Sequence, residues 1–223
     1  MNPKMRIQCF DGDVRRYIEF ADFVQGHDTI IHLAGVNDLT DVDNLMDVNV
    51  VGTLNGIKAC LHHKARLFVA GTNSEFGAYG FSKSICESMM IRSRLLGLTG
   101  AYMAIPEVFG PRSKPYGSVA SSILHSIAKN VSHSQQINPQ SELMLMYIHD
   151  VCETIETFIS LDQIVFDEEY VHEQPNRIDF YAYGGFKIKV EDLIAVAQGR
   201  ISRGARIDNM IKQTVQWYKN NNV

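Results

Sequence analysis

The chain has 223 residues, of which 45% are hydrophobic and 21% charged, the balance of an ordinary soluble globular protein able to bury a sizeable core. A net charge of −4 argues against a large nucleic-acid footprint. No apolar run spans a bilayer and no charged-then-apolar leader opens the chain, so neither a membrane nor a nucleic-acid partner is expected, and the expected compartment is cytoplasmic.

Read in order, Arg6–Phe10 is expected to be a strand, Val14–Val24 a helix and Thr29–Leu33 a strand. The last of these is short, β-branched and apolar, the form of a parallel strand buried on both faces, and it opens into the small residues Ala34 and Gly35. Leu45–His63 reads as helix, Arg66–Ala70 as strand and Tyr79–Leu98 as helix, with Gly97 and Gly100 marking its end. Ala101–Ile105 is the next strand, and this alternation predicts an α/β fold with a doubly wound parallel sheet. Beyond Pro111 the pattern loosens into helices at Ser118–Asn130, Asp150–Leu161, Val190–Gln198 and Asp208–Lys219. A polar loop is expected over Val131–Gln140 and a short strand at Arg177–Tyr181. The expected division is 1–111 and 112–223, packed as one domain with a small C-terminal lobe. Cys9 and Cys60 read as small buried hydrophobes, His32 as a core histidine, and no metal site is expected from the scattered Cys and His residues.

The chemistry concentrates in LFVAGTNSEFGAYGFSKSICE, residues 67–87. Tyr79 and Lys83 lie four apart, so a helix brings phenol and ammonium together on one face. A neighbouring cation favours phenolate, which is expected to lower the Tyr79 pKa and ready it for proton transfer. Thr72, at the end of the preceding strand, is placed to hydrogen-bond the oxygen that Tyr79 protonates. Such a trio suits carbonyl reduction or alcohol oxidation beside a nicotinamide. Taken alone, the spacing has low specificity, and a half-buried tyrosine beside a solvated lysine accounts for it equally well.

Further pieces accompany it: Gly12-Asp13-Val14, His32-Leu33-Ala34-Gly35, Asn49-Val50 with Gly52-Thr53, Glu87, Val108-Phe109-Gly110-Pro111 and Tyr147-Ile148-His149-Asp150-Val151. In this order and over nearly the whole chain, they resemble the extended short-chain dehydrogenase/reductase family, the NAD-dependent epimerases and dehydratases of nucleotide sugars. Within it, the short gap from Thr72 to Tyr79 and the run from Pro106 to Asn130 look most like reductases of UDP-linked 2-acetamido-2,6-dideoxy-hexos-4-uloses, enzymes of capsule and O-antigen synthesis. The resemblance implies a Rossmann-like fold, NAD or NADP as cofactor and a nucleotide-sugar substrate. It also implies Thr72, Tyr79 and Lys83 as catalytic residues, with Lys83 touching the nicotinamide ribose. Asp13, Leu33, Ala34, Gly35, Asn49, Lys83 and Pro106 would meet the cofactor, and Asn73, Glu107, Arg112 and Lys114 the substrate. Arg112 and Lys114 read equally well as a solvated basic loop. A homodimer through Leu45–His63 and Tyr79–Leu98 is implied as well.

The chain departs from that family in three places. The glycine-rich strand–turn–helix that receives the pyrophosphate has no counterpart, so an N-terminally truncated fold with weakened dinucleotide binding is expected. Ala104-Ile105-Pro106-Glu107 stands where the family has arginine, two residues and asparagine, and a Glu107 carboxylate there is expected to repel phosphate. His149 replaces an aspartate. Two readings follow: a nucleotide-sugar reductase or epimerase, or a non-catalytic relative that binds no dinucleotide. The truncation further suggests that Arg6–Phe10 moves inward to pair in parallel with Thr29–Leu33, covering an otherwise bare edge, or else that it keeps its family position and another chain, or nothing, fills the gap.

Overall fold

The computed structural model describes residues 5–73, 77–131, 137–160, 177–179 and 184–223. The chain forms two compact units, one of residues 1–104 and 156–179, the other of residues 105–155 and 180–223. The first crossing falls between Ala104 and Ile105, earlier than the boundary expected at 111–112.

The first unit is built on a four-stranded parallel sheet in the order β1 (Thr29–His32), β2 (Arg66–Ala70), β3 (Gly100–Ala104), β6 (Arg177–Asp179). Every residue of β3 is buried, as the middle of a parallel sheet covered on both faces requires. Gly100 has no room for a side chain, because a Cβ would run into the Leu67 backbone of the neighbouring strand. By contrast β1 alternates between buried and half-buried positions, the signature of a strand with one covered face. It lies at the sheet edge. Arg6–Phe10 makes no ladder with it, which overturns both the expected strand there and its inward relocation. The segment is mostly exposed, Cys9 included, so that residue is not the buried hydrophobe expected of it. It is anchored instead through Phe10, whose ring packs 5.1 Å from Phe20 and 5.2 Å from Phe23.

The helices of this unit are α1 (Tyr17–Val24), α2 (Val42–Met46), α3 (Gly52–His63) and α4 (Gly77–Ser93). The expected helix Leu45–His63 is real but not uniform: a π-turn at Asp47–Val51 separates α2 from α3. Such turns often mark functional sites, and this one carries the buried Asn49. Phe20, Val24, Ile30, Ile57, Leu67, Val69, Cys86, Met90 and Tyr102 form the core between helices and sheet.

The second unit is a three-stranded sheet, β4 (Glu107–Phe109) parallel to β5 (Glu142–Tyr147), and β5 antiparallel to β7 (Phe186–Lys189). None of these strands was expected; each is short, and Leu and Met carry β5 where β-branched residues would have signalled it. Helices α5 (Val119–Lys129), α7 (Val190–Ala197) and α8 (Ala205–Asn220) bury Leu124, Leu193, Ile211 and Tyr218 against Phe109, Leu145 and Ile188. Helix α6 (Ile148–Ser160) carries the chain from the second unit back to the first. The expected extensions of α6 to Leu161 and of β6 to Tyr181 lie outside the described residues, as do residues 132–136 of the expected loop. No helix among the described residues is long and apolar enough to cross a membrane.

Candidate active site

Within the first unit, the ends of β1 and β2 and the first turns of α4 enclose a cleft of about 240 Å³. Leu33, Gly35, Val36 and Asn37 line it from the β1 side, Ala70 and Gly71 from the β2 side, and Tyr79 and Lys83 from the helix. Loops beyond the carboxyl ends of parallel strands are the usual ligand position in open α/β sheets.

The β1 loop is held from below. Asn49 donates its amide to the Val36 carbonyl and to Ser82 Oγ, both at 2.9 Å, and its Oδ1 accepts from Val36 N–H at 2.8 Å. Cys86 Sγ donates to the Asn49 carbonyl at 3.2 Å. Asn49, expected to meet a cofactor, thus spends its amide on the protein and acts as the clamp of the loop. Gly35 sits directly over this clamp: a Cβ there would lie 3.2 Å from Lys83 Nζ and 3.3 Å from Asn49 Oδ1. Leu33 is largely exposed at the rim, and Ala34 is half-buried beside it.

Lys83 is buried and donates from Nζ to the Ala70 carbonyl at 2.9 Å, tying α4 to the end of β2. Its ammonium stands 5.9 Å from the Tyr79 ring centroid, confirming that the two share a helix face. The expected lowering of the Tyr79 pKa is not found. Burial pushes the phenol above its ordinary value, with the Cys86 thiol adding to the shift. Burial also pulls the Lys83 ammonium down. An ammonium at this distance, already bound to a carbonyl, does not offset the desolvation of the phenol.

Below the β1 end, His32 is buried with Nε2 unpartnered, 6.1 Å between its ring and that of Phe20. Desolvation, reinforced by the Lys83 charge, lowers its pKa to about 4. It is a neutral core residue, as expected.

The remaining expected site residues fall elsewhere. Asp13 is engaged by Arg15, which donates from Nε to both carboxylate oxygens at 2.9 Å and from Nη2 at 2.7 Å. Those bonds hold the exposed Asp13 carboxyl down at about 2. Asn73 keeps a buried Oδ1 without a partner. Pro106, Glu107, Arg112 and Lys114 belong to the second unit. There Glu107 is not a free carboxylate: Oε1 accepts from Ala120 N–H at 2.5 Å, while Ser118, the N-cap of α5, accepts from Ser121 N–H at 3.1 Å. Two of the open donors of the α5 N-terminus are satisfied in this way. Burial nevertheless raises the Glu107 pKa. Pro106 is buried, whereas Arg112, in the left-handed region at φ 71°, and Lys114 are exposed. Four cleft residues escaped the sequence reading, Val36, Asn37, Ala70 and Gly71, along with Tyr102 beneath the last; the glycine was the one available signal.

Residues 2–93 match the model of the 3-beta hydroxysteroid dehydrogenase/isomerase family. A UDP-glucose 4-epimerase of Rickettsia massiliae is 23% identical over 180 residues, 77% of this chain and 49% of the epimerase. The chain therefore spans about half the length of that relative. Among solved structures, UDP-glucuronic acid 4-epimerase of Bacillus cereus, in complex with UDP-glucuronic acid and NAD, superposes with a TM-score of 0.74 at 14% identity, covering 97% of this chain and 81% of that one. L-threonine dehydrogenase of Phytophthora infestans gives 0.71 at 20% identity over 84% and 67%. The chain has the Rossmann fold of these enzymes. Since one acts on a sugar nucleotide and the other is a threonine dehydrogenase, the fold alone does not choose a substrate.

Proposed function

We propose that the chain is an NAD(P)-dependent oxidoreductase or epimerase of the short-chain dehydrogenase type acting on a nucleotide-linked sugar, with reduction of a 4-keto-6-deoxy sugar at C4 as the favoured reaction. The observation that carries this reading is the convergence of Tyr79 and Lys83 on one cleft with the small residues Gly35, Ala70 and Gly71. The cleft residues fit the nicotinamide end of a dinucleotide, because small residues on two strand ends leave room for a flat ring against the backbone. When bound, that ring supplies or accepts the hydride.

In this reading Tyr79 gives its proton to the carbonyl oxygen as the carbonyl is reduced, Thr72 hydrogen-bonds the same oxygen, and Lys83 orients the ribose. A phenol that keeps its proton through neutral pH can act here only as the acid, and burial, by raising its pKa, makes it a weaker one. Substrate contacts by Asn73, Arg112 and Lys114 remain part of the proposal. The homodimer is part of the proposal and is supported by the exposed Phe81 on α4.

Tyr79→Phe is the test. Turnover of a UDP-linked 4-keto sugar with NADH or NADPH should fall about 100-fold, the usual size of a general-acid contribution, with dinucleotide binding by calorimetry unchanged. Unchanged turnover would remove Tyr79 from the mechanism. The second reading, a non-catalytic binder, is favoured by the tie of Lys83 to Ala70 and the upward-shifted phenol. Absence of turnover and of dinucleotide binding heat in the wild type would select it.

A further inference from the structure

Gly71 ends the β2 run and lines the cleft, yet its backbone does not lie in the left-handed region that usually calls for glycine. The requirement is one of space. A Cβ at Gly71 would fall inside the ring of Tyr102, whose Cζ, Oη and Cε1 occupy that volume. Tyr102 belongs to β3, pairs with Val69 of β2 and is 1% exposed. Its ring is thus laid across the end of the neighbouring strand, directly beneath the residue that precedes Thr72.

The phenol is not simply filler. Tyr102 Oη accepts from Thr72 N–H at 3.2 Å, and Gly71 N–H is bound to the Met103 carbonyl at 2.8 Å. Both amide groups that carry the chain out of β2 are therefore held by β3, one through its backbone and one through a side chain. The geometry points to Tyr102 as a positioning residue: its hydroxyl fixes the Thr72 main chain, and with it the point from which the Thr72 side chain leaves, one residue beyond the Gly71 that lines the Tyr79–Lys83 cleft. This role rests on the reading of Thr72 and Tyr79 given above and extends it to a residue outside the cleft lining.

The electrostatics agree. Burial holds the Tyr102 phenol far above its ordinary pKa, and Glu87, Cys86 and Tyr79 oppose a negative charge there in that order. The group stays a neutral hydroxyl throughout the working range, so its hold on Thr72 does not vary with pH. A charged or shorter side chain would not serve: the oxygen has to reach across one strand spacing, roughly 5 Å, while the rest of the side chain remains apolar for the core. Gly71 and Tyr102 form a matched pair, the glycine vacating the volume that the phenol fills.

Tyr102→Phe removes the oxygen and keeps the ring, so packing of the core is retained. Amide hydrogen exchange followed by NMR should show Thr72 exchanging about 10-fold faster in this variant, the worth of one lost hydrogen bond, with amides of β1 and α3 far less affected and the melting temperature lowered by only a few degrees. Turnover should drop by a similar factor while KM for the dinucleotide stays within about twofold, a split that a general loss of stability does not produce. An unprotected Thr72 amide in the wild type, or exchange and turnover both unaltered in Tyr102→Phe, would overturn the role. If the wild type turns over no sugar nucleotide, the functional reading fails, and the Thr72 exchange rate alone then decides the positioning.

Discussion

His32 gives the sharpest quantitative test of the structure. Its ring is 4% exposed, Nε2 has no partner, and Phe20 packs nearby. Desolvation followed by repulsion from the Lys83 ammonium lowers its pKa from 6.5 to about 4. In the unfolded chain the same imidazole takes up a proton near its ordinary value. Between these two pKa values the unfolded state binds more protons than the folded one, so stability rises with pH across this window and is lost as pH falls through it. At about 1.4 kcal/mol per pH unit, lowering the pH from about 7.5 to about 4.5 should cost roughly 2.5 kcal/mol at this one residue. That is a sizeable part of the roughly 5–15 kcal/mol of a typical domain. The assay is urea unfolding of the wild type and of His32→Leu at both pH values, read as the midpoint at constant slope. The variant should have a lower stability at neutral pH if the leucine packs poorly, but its pH dependence should be smaller by about 2.5 kcal/mol. Equal pH dependence in the two proteins, or a His32 imidazole titrating near 6.5 by NMR, would refute the burial argument.

Asn49→Ala removes both halves of the clamp on Val36 and leaves a part-buried N–H and C=O without partners. Thermal unfolding should report a loss of about 2–4 kcal/mol, and limited proteolysis should cut the chain within residues 34–39. Glu107→Ala strips one acceptor from the α5 N-terminus and should cost about 1 kcal/mol by chemical denaturation, whereas Glu107→Gln should recover most of it if an acceptor rather than a charge is what the helix needs.

The sequence by itself determined the elements that are repetitive and local. The runs Thr29–Leu33, Arg66–Ala70 and Ala101–Ile105 carry enough apolar and β-branched character to mark the strands of a parallel sheet. The four-residue step from Tyr79 to Lys83 places two side chains on one helix face whatever surrounds them. What the tertiary structure decided is everything that depends on distance across strands and on water. Arg6–Phe10 has strand composition but pairs with no strand among the described residues, because pairing is a property of two segments and not of one. Strands β4, β5 and β7 are three to six residues long and become visible only through their mutual ladders. The Tyr79 pKa moved opposite to the expectation because spacing fixes how near a cation is but not how much solvent the phenol loses, and here desolvation wins. Glu107, read as a charge set against phosphate, became a helix cap once α5 was brought to it. Gly71 and Tyr102 lie 31 positions apart and have no shared sequence signal. Only the parallel register of β2 and β3 lays one residue's ring into the space that the other leaves empty.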